Sequence, residues 1–309
     1  MSNSTSLHTL SADGPLTKLE RVAWVAANLA NNALPRARVD PRIVERRFRL
    51  SASRIGELWP SIRPDASPSR ALCDLFWLTM PWPRILRELG PLHALEVGCG
   101  SGTYGHLLSR LLGSQLAHYL GIDVAASGDW AGVSDNRLEF RIGRAGEVAQ
   151  YLAGVNFVFT QSALEHVEED LRFLRQVAQR AESRRPLLQL HLIPSASCIT
   201  TFPWHGIREY TPRTVSQATR LFGAGTATYL YSLGGPDCNR VHRKFIVWPR
   251  LRRVGDLRRP RAAAYAEALR AAVISDLAGA SRTASFYALV LLSNFARDPF
   301  HEASAECAA

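Results

Sequence analysis

The chain has 309 residues, 47% hydrophobic and 21% charged. That is a globular composition, enough for one large domain or a domain with a cap, and no run approaches the ~20 apolar residues of a membrane span. The net charge of +10 admits nucleic acid, an anionic membrane face or an acidic substrate as partner, or reflects only an arginine-rich proteome. Cysteines at 73, 99, 198, 238 and 307 form no C-x-x-C pair and an odd total, so neither a zinc site nor a disulfide framework is supported and no metal is expected. A reducing cytoplasm fits.

Residues 1–14 are rich in Ser and Thr and are expected to form a disordered tail. A helical N-terminal cap is expected over 15–90. Leu19, Val22, Val25, Ala26 and Leu29 recur at helical spacing, and Pro35 breaks the pattern. Val22 to Leu34 imitates a signal peptide, but Asn28, Asn31 and Asn32 interrupt it and it reads as a helix. The whole stretch 15–58 looks helical. Trp59 to Ser69 carries Pro60, Pro64 and Pro68 and reads as an irregular connector. Helix resumes from Ser69 to Leu89, broken near Pro81 and Pro83.

The most informative stretch is 93–105, His-Ala-Leu-Glu-Val-Gly-Cys-Gly-Ser-Gly-Thr-Tyr-Gly. An apolar strand runs into Glu96, glycines follow at 98, 100 and 102, and a leucine-rich helix begins with Leu107, Leu108, Leu111 and Leu112. A strand, a tight glycine turn and a helix start make the unit that holds nucleotide-like ligands in doubly wound folds. The glycines let the backbone turn and approach a ligand closely, and free N–H groups at the helix start favour an electron-rich group. A dinucleotide fingerprint is met only in a shifted register, Gly100-x-Gly102-x-x-Gly105, because Thr103 stands where the third glycine would follow Gly98. Glu96 decides between ligands. A carboxylate there would repel a pyrophosphate.

His118 to Asp123 reads as the second strand, ending in an acid. Asp123 lies about 20 residues past the glycines, where an acid accepts hydrogen bonds from ribose hydroxyls. Leu138 to Ile142 is the third strand, followed by Gly143-Arg-Ala-Gly146. Asn156 to Thr160 is the fourth and runs into Gln161-Ser-Ala-Leu-Glu-His-Val167. Leu187 to Leu192 is the fifth. Alternating strands and helices imply a mostly parallel sheet with helices on both faces. Pro194 to Thr211 has no period and holds Trp204, His205, Arg208 and Tyr210. A helix is expected over Pro212 to Phe222, a sixth strand over Thr226 to Leu233 and the last over Phe286 to Leu292. The connection between these last two strands, roughly 50 residues, is long enough to suggest a functional insertion. It is placed at about 240–284, with a helix near Ala262 to Leu277. Its segment Arg240 to Arg261 sets nine basic residues against the single acid Asp256, with Phe245, Ile246, Val247 and Trp248 interleaved. That pattern reads either as attachment to an anionic surface or as a solvated basic loop. The main domain thus spans 91–296, and 297–309 form a flexible tail.

Glu96-x-Gly98-x-Gly100-x-Gly102 resembles motif I of the class I S-adenosylmethionine (SAM) methyltransferases. The resemblance covers roughly 93–192 plus the final strand. It implies a doubly wound, mostly parallel seven-stranded α/β sheet (Rossmann-like) whose last two strands form a hairpin, with SAM as cofactor. It also implies that SAM is held by Glu96, Gly98, Gly100, Gly102, Asp123, Ala145 and Gln161. SAM carries an ammonium and a sulfonium and no phosphate, which suits Glu96. Two positions depart from the family: Arg144 stands where an Asp often precedes the small residue beside adenine, and Asn156 replaces the acid at the start of strand four. Leu164-Glu-His166 resembles the segment after strand four in many small-molecule methyltransferases, and Glu165 and His166 are read as orienting that loop.

Ser67-Pro-Ser-Arg70, Asp74-Leu-Phe-Trp77, Met80-Pro-Trp82, His191-Leu-Ile-Pro194 and Arg208-Glu-Tyr-Thr-Pro212 look similar to methyltransferases encoded with bacterial surface-polysaccharide assembly enzymes. This narrower resemblance covers about 60–240. It implies O-methylation of a hydroxyl in a polysaccharide, glycolipid or small molecule, in the cytoplasm or at the inner face of the membrane. Histidine suits proton removal near neutral pH, which makes His205 and His191 the candidate bases; a buried structural role is the other reading of His191. Trp204, Arg208 and Tyr210 suit a sugar bearing an acidic group or a nucleotide diphosphate. Two alternatives stay open. One is RNA methylation, suggested by the charge, although no N-P-P-Y or D-P-P-Y stretch follows strand four. The other is a non-catalytic SAM-binding protein, prompted by Asn156 and Arg144.

Overall fold

The computed structural model describes residues 2–33, 38–279 and 283–300. The N-terminal elements are α1 (Lys18–Ala33), β1 (Ile43–Arg47), α2 (Ala52–Leu58), α3 (Pro68–Leu78) and α4 (Trp82–Leu89). The sheet domain continues with β2 (Leu92–Val97), α5 (Thr103–Leu112), β3 (Leu116–Asp123), β4 (Leu138–Ile142), β5 (Phe157–Gln161), α6 (Asp170–Ala181) and β6 (Leu187–Pro194). It closes with α7 (Pro212–Thr219), β7 (Thr226–Leu233), α8 (Pro236–His242), α9 (Trp248–Leu251), α10 (Ala262–Ala278) and β8 (Phe286–Ser293).

Eight strands form one sheet in the order β1-β7-β8-β6-β5-β2-β3-β4. Every neighbouring pair is parallel except β8, which runs antiparallel between β6 and β7. The doubly wound sheet and the terminal hairpin are those the resemblance implies. The chain leaves β2 outward through β3 and β4, then returns to β5 on the other side of β2. The sheet therefore reverses direction between β2 and β5, and the crevice at their carboxyl ends is where such folds bind ligands.

Strands β5 and β6 are buried along their whole length, as a strand covered by helices on both faces must be. Their side chains alternate between two cores. Phe157 and Phe159 join Trp77, Tyr104 and Tyr119 on one face; Val158 joins Phe173, Leu174 and Val177 of α6 on the other. Ser67 caps α3 by accepting from Arg70 N at 3.3 Å, and Pro68 occupies the first turn, where its missing N–H costs nothing. Trp77 of α3 then packs edge-on to Phe159 at 5.0 Å. α3 thus packs on one face of the sheet and reaches its carboxyl end, where Trp77 meets Gln161.

The region read as helical over 15–58 holds a strand. Ile43–Arg47 pairs in parallel with β7, Ile43 opposite Thr228 and Arg47 opposite Ser232. It forms the eighth strand, at the sheet edge. Five residues too short for a helical period carry no 3.6-residue signal, and pairing with β7 decides their conformation. Glu45, Arg46 and Arg47 place charge on this edge and discourage further strand pairing. Pro35 and Leu34 lie outside the described residues. Residues 2–14, expected as a disordered tail, run against α6 and the loop after β6. Thr5 N donates to Asp170 Oδ1 at 2.8 Å, and Ala12 N donates to Gly206 O at 2.9 Å. Of the expected C-terminal tail, 301–309 lie outside the described residues.

In the insertion, Asp276 of α10 caps α8 from a distance, accepting from Cys238 N at 2.8 Å and Asp237 N at 3.2 Å. Phe245, Ile246 and Val247 are 3%, 5% and 8% exposed and pack inward, Phe245 edge-on to Tyr265 at 5.2 Å. The apolar residues of this basic segment that face outward are Trp248, Leu251 and Val254, at 47%, 53% and 66% exposure.

Candidate active site

Three backbone positions make the turn after β2. Gly98, Gly100 and Gly102 adopt φ of +78°, +53° and +79°, values that side-chain-bearing residues rarely adopt. A Cβ on Gly98 would meet Ala163 Cβ at 2.4 Å, and one on Gly102 would meet the Phe140 ring at the same distance. Gly100 has open space beside it. Gly98 N and Cys99 N donate to Ile122 O, at 2.8 and 3.1 Å, which ties the turn to β3. Asp123, at the end of β3, accepts from Gly100 N at 2.7 Å. The turn and the acid therefore hold each other in place, and α5 starts directly behind them with Gly102 as its cap.

A cavity of about 990 Å³ opens over this edge, lined by Glu96, Gly98, Gly100, Asp123, Ala145 and Gln161 among others. Six of the seven residues expected to hold a cofactor therefore share one wall. Gly102 shapes the turn from behind, against Phe140. Glu96 is 1% exposed and accepts a hydrogen bond from the Tyr119 hydroxyl. Burial pushes its carboxyl up to about 8, against the Tyr119 bond and the Arg70 charge, with Asp123 adding to the rise. Gln161 Oε1 accepts from Trp77 Nε1 at 3.1 Å, so α3 fixes its amide.

Several residues in or beside the cavity carry little sequence signal. Arg70 reaches the cavity from α3 and donates to the Tyr104 hydroxyl at 2.7 Å, which donates to Asp74 at 2.7 Å. Arg70 lies in the stretch Ser67-Pro-Ser-Arg70, and Tyr104 within the glycine stretch, yet neither spacing announces a role. Trp130 stacks on Phe140 at 5.5 Å and donates to Gly100 O at 2.8 Å; nothing in its surroundings marks it. Asn156 has a structural task. Its Oδ1 accepts from His93 N at 2.8 Å, and its Nδ2 donates to Leu89 O and Pro91 O at 3.1 and 3.0 Å. An amide makes both kinds of bond where a carboxylate accepts only. Arg144 lines the cavity beside Ala145.

The opposite wall comes from the loop after β5. His166 lines the cavity, and its Nδ1 is hydrogen-bonded to Asp13 of the N-terminal segment. His205 stands edge-on to His166 at 4.7 Å, one ring further out. Its Nε2 is 3.3 Å from Glu165 Oε1. Burial works against its charged form, but the Glu165 carboxylate, helped by Asp13, outweighs burial and raises its pKa. Glu165 is fully buried, and among the described residues neither of its oxygens accepts a well-formed hydrogen bond.

Four expected site residues are placed away from the cavity. His191 is sealed in β6, with Nδ1 3.0 Å from Thr160 Oγ1 and burial pushing its pKa down to about 3. It has no path to an acceptor, and its structural reading fits the geometry. Arg208 is fully buried; it donates to Glu168 O at 2.8 Å and to Val167 O at 2.5 Å, and pairs with Asp170 at 3.3 Å. Tyr210 donates to Leu164 O and Asp170 Oδ2 at 3.2 and 3.1 Å. Both brace the loop that carries Glu165 and His166, and neither presents a surface to a sugar. Trp204 donates to Arg21 O at 3.2 Å, with the Arg21 guanidinium 5.0 Å from its ring.

No family model and no curated protein matches the chain. Solved structures resemble it at low identity. A candidate sarcosine dimethylglycine methyltransferase from Galdieria sulphuraria is 14% identical, with 73% of this chain and 87% of that chain covered and a TM-score of 0.45. An S-adenosylmethionine-dependent methyltransferase from Mesorhizobium loti is 15% identical, covering 69% and 98%, at a TM-score of 0.42. One from Archaeoglobus fulgidus is 15% identical, covering 70% and 93%, at 0.39. At these scores the fold rests on the strand order and register described above, and function rests on the site.

Proposed function

We propose that this chain is a SAM-dependent methyltransferase acting on a hydroxyl of a sugar or other small molecule. The observation that carries this reading is Glu96, a buried carboxyl at the end of β2, set beneath a turn of three left-handed glycines where the sheet reverses. A carboxyl there gains by ionising beside a cationic nucleoside, and once ionised it opposes a pyrophosphate. Its elevated pKa marks a charge that a cation would stabilise. The volume of about 990 Å³ is at the upper end of ordinary ligand sites. In this reading Asp123 takes the ribose, the Arg144–Ala145 turn borders the base, and Arg70 meets the amino-acid carboxylate.

A sulfonium methyl moves by in-line displacement: the O–C bond forms as the C–S bond breaks, and the electron pair leaves on sulfur. The chain's task is alignment and exclusion of water, worth on the order of 7–11 kcal/mol, and removal of the acceptor's proton. Proton removal falls to the Glu165–His166–His205 cluster, beside the cavity wall, with His205 as the base expected from its residue type. Calorimetric titration with S-adenosylhomocysteine and with nicotinamide dinucleotide tests the cofactor. Micromolar binding of the first and none of the second is expected; the reverse overturns the reading. Mass spectrometry of surface glycans with and without the gene tests the acceptor, as a 14-dalton difference per methylated residue.

A membrane contact through 240–261 belongs to the same proposal. Exposed Trp248, Leu251 and Val254 alternate in sequence with Arg250, which pairs with Asp256 at 3.0 Å, and with Arg252 and Arg253, an apolar and basic stretch that suits anionic lipid. Flotation with phosphatidylserine vesicles, lost on Trp248→Ser with Leu251→Ser, is the expected result. Unchanged flotation removes this surface.

A further inference from the structure

The loop after β5 and the loop after β6 converge on a group of side chains that sequence spacing does not join. Glu165 Oε1 stands 3.3 Å from His205 Nε2 and 4.0 Å from His166 Nε2. One ligand atom from each residue lies within 4.8 Å of the others. Two ligands of a tetrahedral first-row cation, each about 2.1 Å from it, sit roughly 3.4 Å apart; the Glu165–His205 pair already has that spacing, and His166 has to move inward by rotation of its side chain. We infer that Glu165, His166 and His205 form a site for a divalent first-row transition cation of the zinc class, beside the cavity.

Three features favour a cation over a plain ion pair. Glu165 is fully buried; among the described residues neither oxygen accepts a well-formed hydrogen bond, and its nearest cationic neighbour is the half-exposed His205, 3.3 Å away. A buried carboxylate with so few donors is costly, and a metal ion is one of the groups that compensate it. Glu209, also fully buried, has no hydrogen bond to its carboxyl oxygens among the described residues; burial first and the Glu165 charge second push its pKa well up, the mark of acidity around the loop that nothing nearby offsets. His166 presents a set tautomer. Its Nδ1 is bonded to the Asp13 carboxylate, and when that nitrogen carries the proton, Nε2 is left with its lone pair towards Glu165. A carboxylate behind a histidine is the usual outer support of a metal ligand.

Two imidazoles and one carboxylate suit zinc or ferrous iron more than magnesium. With three protein ligands, a cation keeps an open position, and His166 places the set at the cavity wall. The inference rests on the methyl-transfer reading only for its use: an acceptor hydroxyl in the open position becomes more acidic. Its proton leaves to solvent and its oxygen attacks the methyl, while the electron pair of the broken C–S bond departs on sulfur. His205 then serves as a ligand, not as the base.

The test uses the full chain, stripped with chelator and titrated with zinc chloride by calorimetry. One equivalent per chain is expected. Glu165→Gln and His205→Ala should each weaken binding by at least 100-fold. Asp13→Ala, a positioning change, should weaken it 10–100-fold with the stoichiometry kept at one. His205 is half-exposed, so His205→Ala keeps the test sound if the buried variant fails to fold. The four described cysteines are buried, and zinc taken up equally by wild type and His205→Ala would be thiol-bound and would overturn the inference. So would absence of binding to the wild type. Zinc binding without S-adenosylhomocysteine binding would leave the metal site standing and remove the cofactor reading. Binding of the nucleoside without zinc would do the opposite, and would return His205 to the role of base.

Discussion

Along one wall of the cavity, Glu96, Gly98, Gly100 and Asp123 belong to a single strand–turn–helix–strand unit. The facing group is gathered from three distant segments: Asp13 before α1, Glu165 and His166 after β5, and His205 after β6. The first wall is made largely by backbone conformation and carries its positions in its spacing. The second depends on long-range bracing, with Arg208 and Tyr210 holding the loop after β5 from the loop after β6. Local geometry thus fixes where a ligand nucleoside would lie, and tertiary packing fixes which chemistry stands next to it.

If the first wall is a backbone device, altering its turn should abolish binding outright. Gly100 has room for a side chain but sits at φ +53°, so Gly100→Val strains the turn by about 1–3 kcal/mol. Loss of more than 100-fold in S-adenosylhomocysteine affinity is expected, with circular dichroism unchanged. Asp123→Ala removes the acceptor of Gly100 N and should match it. Wild-type calorimetric affinity in both would dissolve the contrast. For the second wall the signature differs. His205→Ala should slow turnover by about 10²–10⁴-fold while nucleoside affinity stays within twofold.

Arg208 separates bracing from substrate contact. Breaking its buried pair with Asp170 costs roughly 3–5 kcal/mol. Arg208→Ala should therefore lower the denaturation midpoint sharply. Any folded remainder should keep its KM for the acceptor. A raised KM at unchanged stability would return Arg208 to the substrate.

These two walls also explain what could be read from the sequence. The glycine turn, Asp123 and the strands β3 to β8 follow from short-range rules: positive φ needs glycine, and buried strands need continuous apolar residues. β1 escaped because five residues with two adjacent arginines take their conformation from β7. Arg208 and Tyr210 were expected at a substrate because their types suit sugars, yet residue type does not reveal that Asp170 lies beneath them. His191 looked catalytic by residue type and by its place near the strand end, but its ring points into a core that only the packing of α6 and β5 defines. Asp13 lies in a stretch with no period, so nothing announces its bond to His166.

The effect with the least perturbation of the fold is also the sharpest probe of the first wall. In the free protein burial holds the Glu96 carboxyl at about 8, well above the ordinary carboxylate range. The folded state therefore binds a proton that the unfolded state releases between about 4.3 and 8, and stability falls as pH rises through that window. A bound sulfonium favours the ionised carboxylate and lowers this pKa, so binding below pH 8 expels a proton. SAM affinity should rise with pH by up to tenfold per unit below 8 and flatten above it. Glu96→Gln should erase the slope. S-adenosylhomocysteine, which lacks the sulfonium charge, should show a shallower one. Equal slopes for the two ligands would mean that Glu96 senses the ammonium rather than the sulfur, and would move the reacting methyl away from the end of β2.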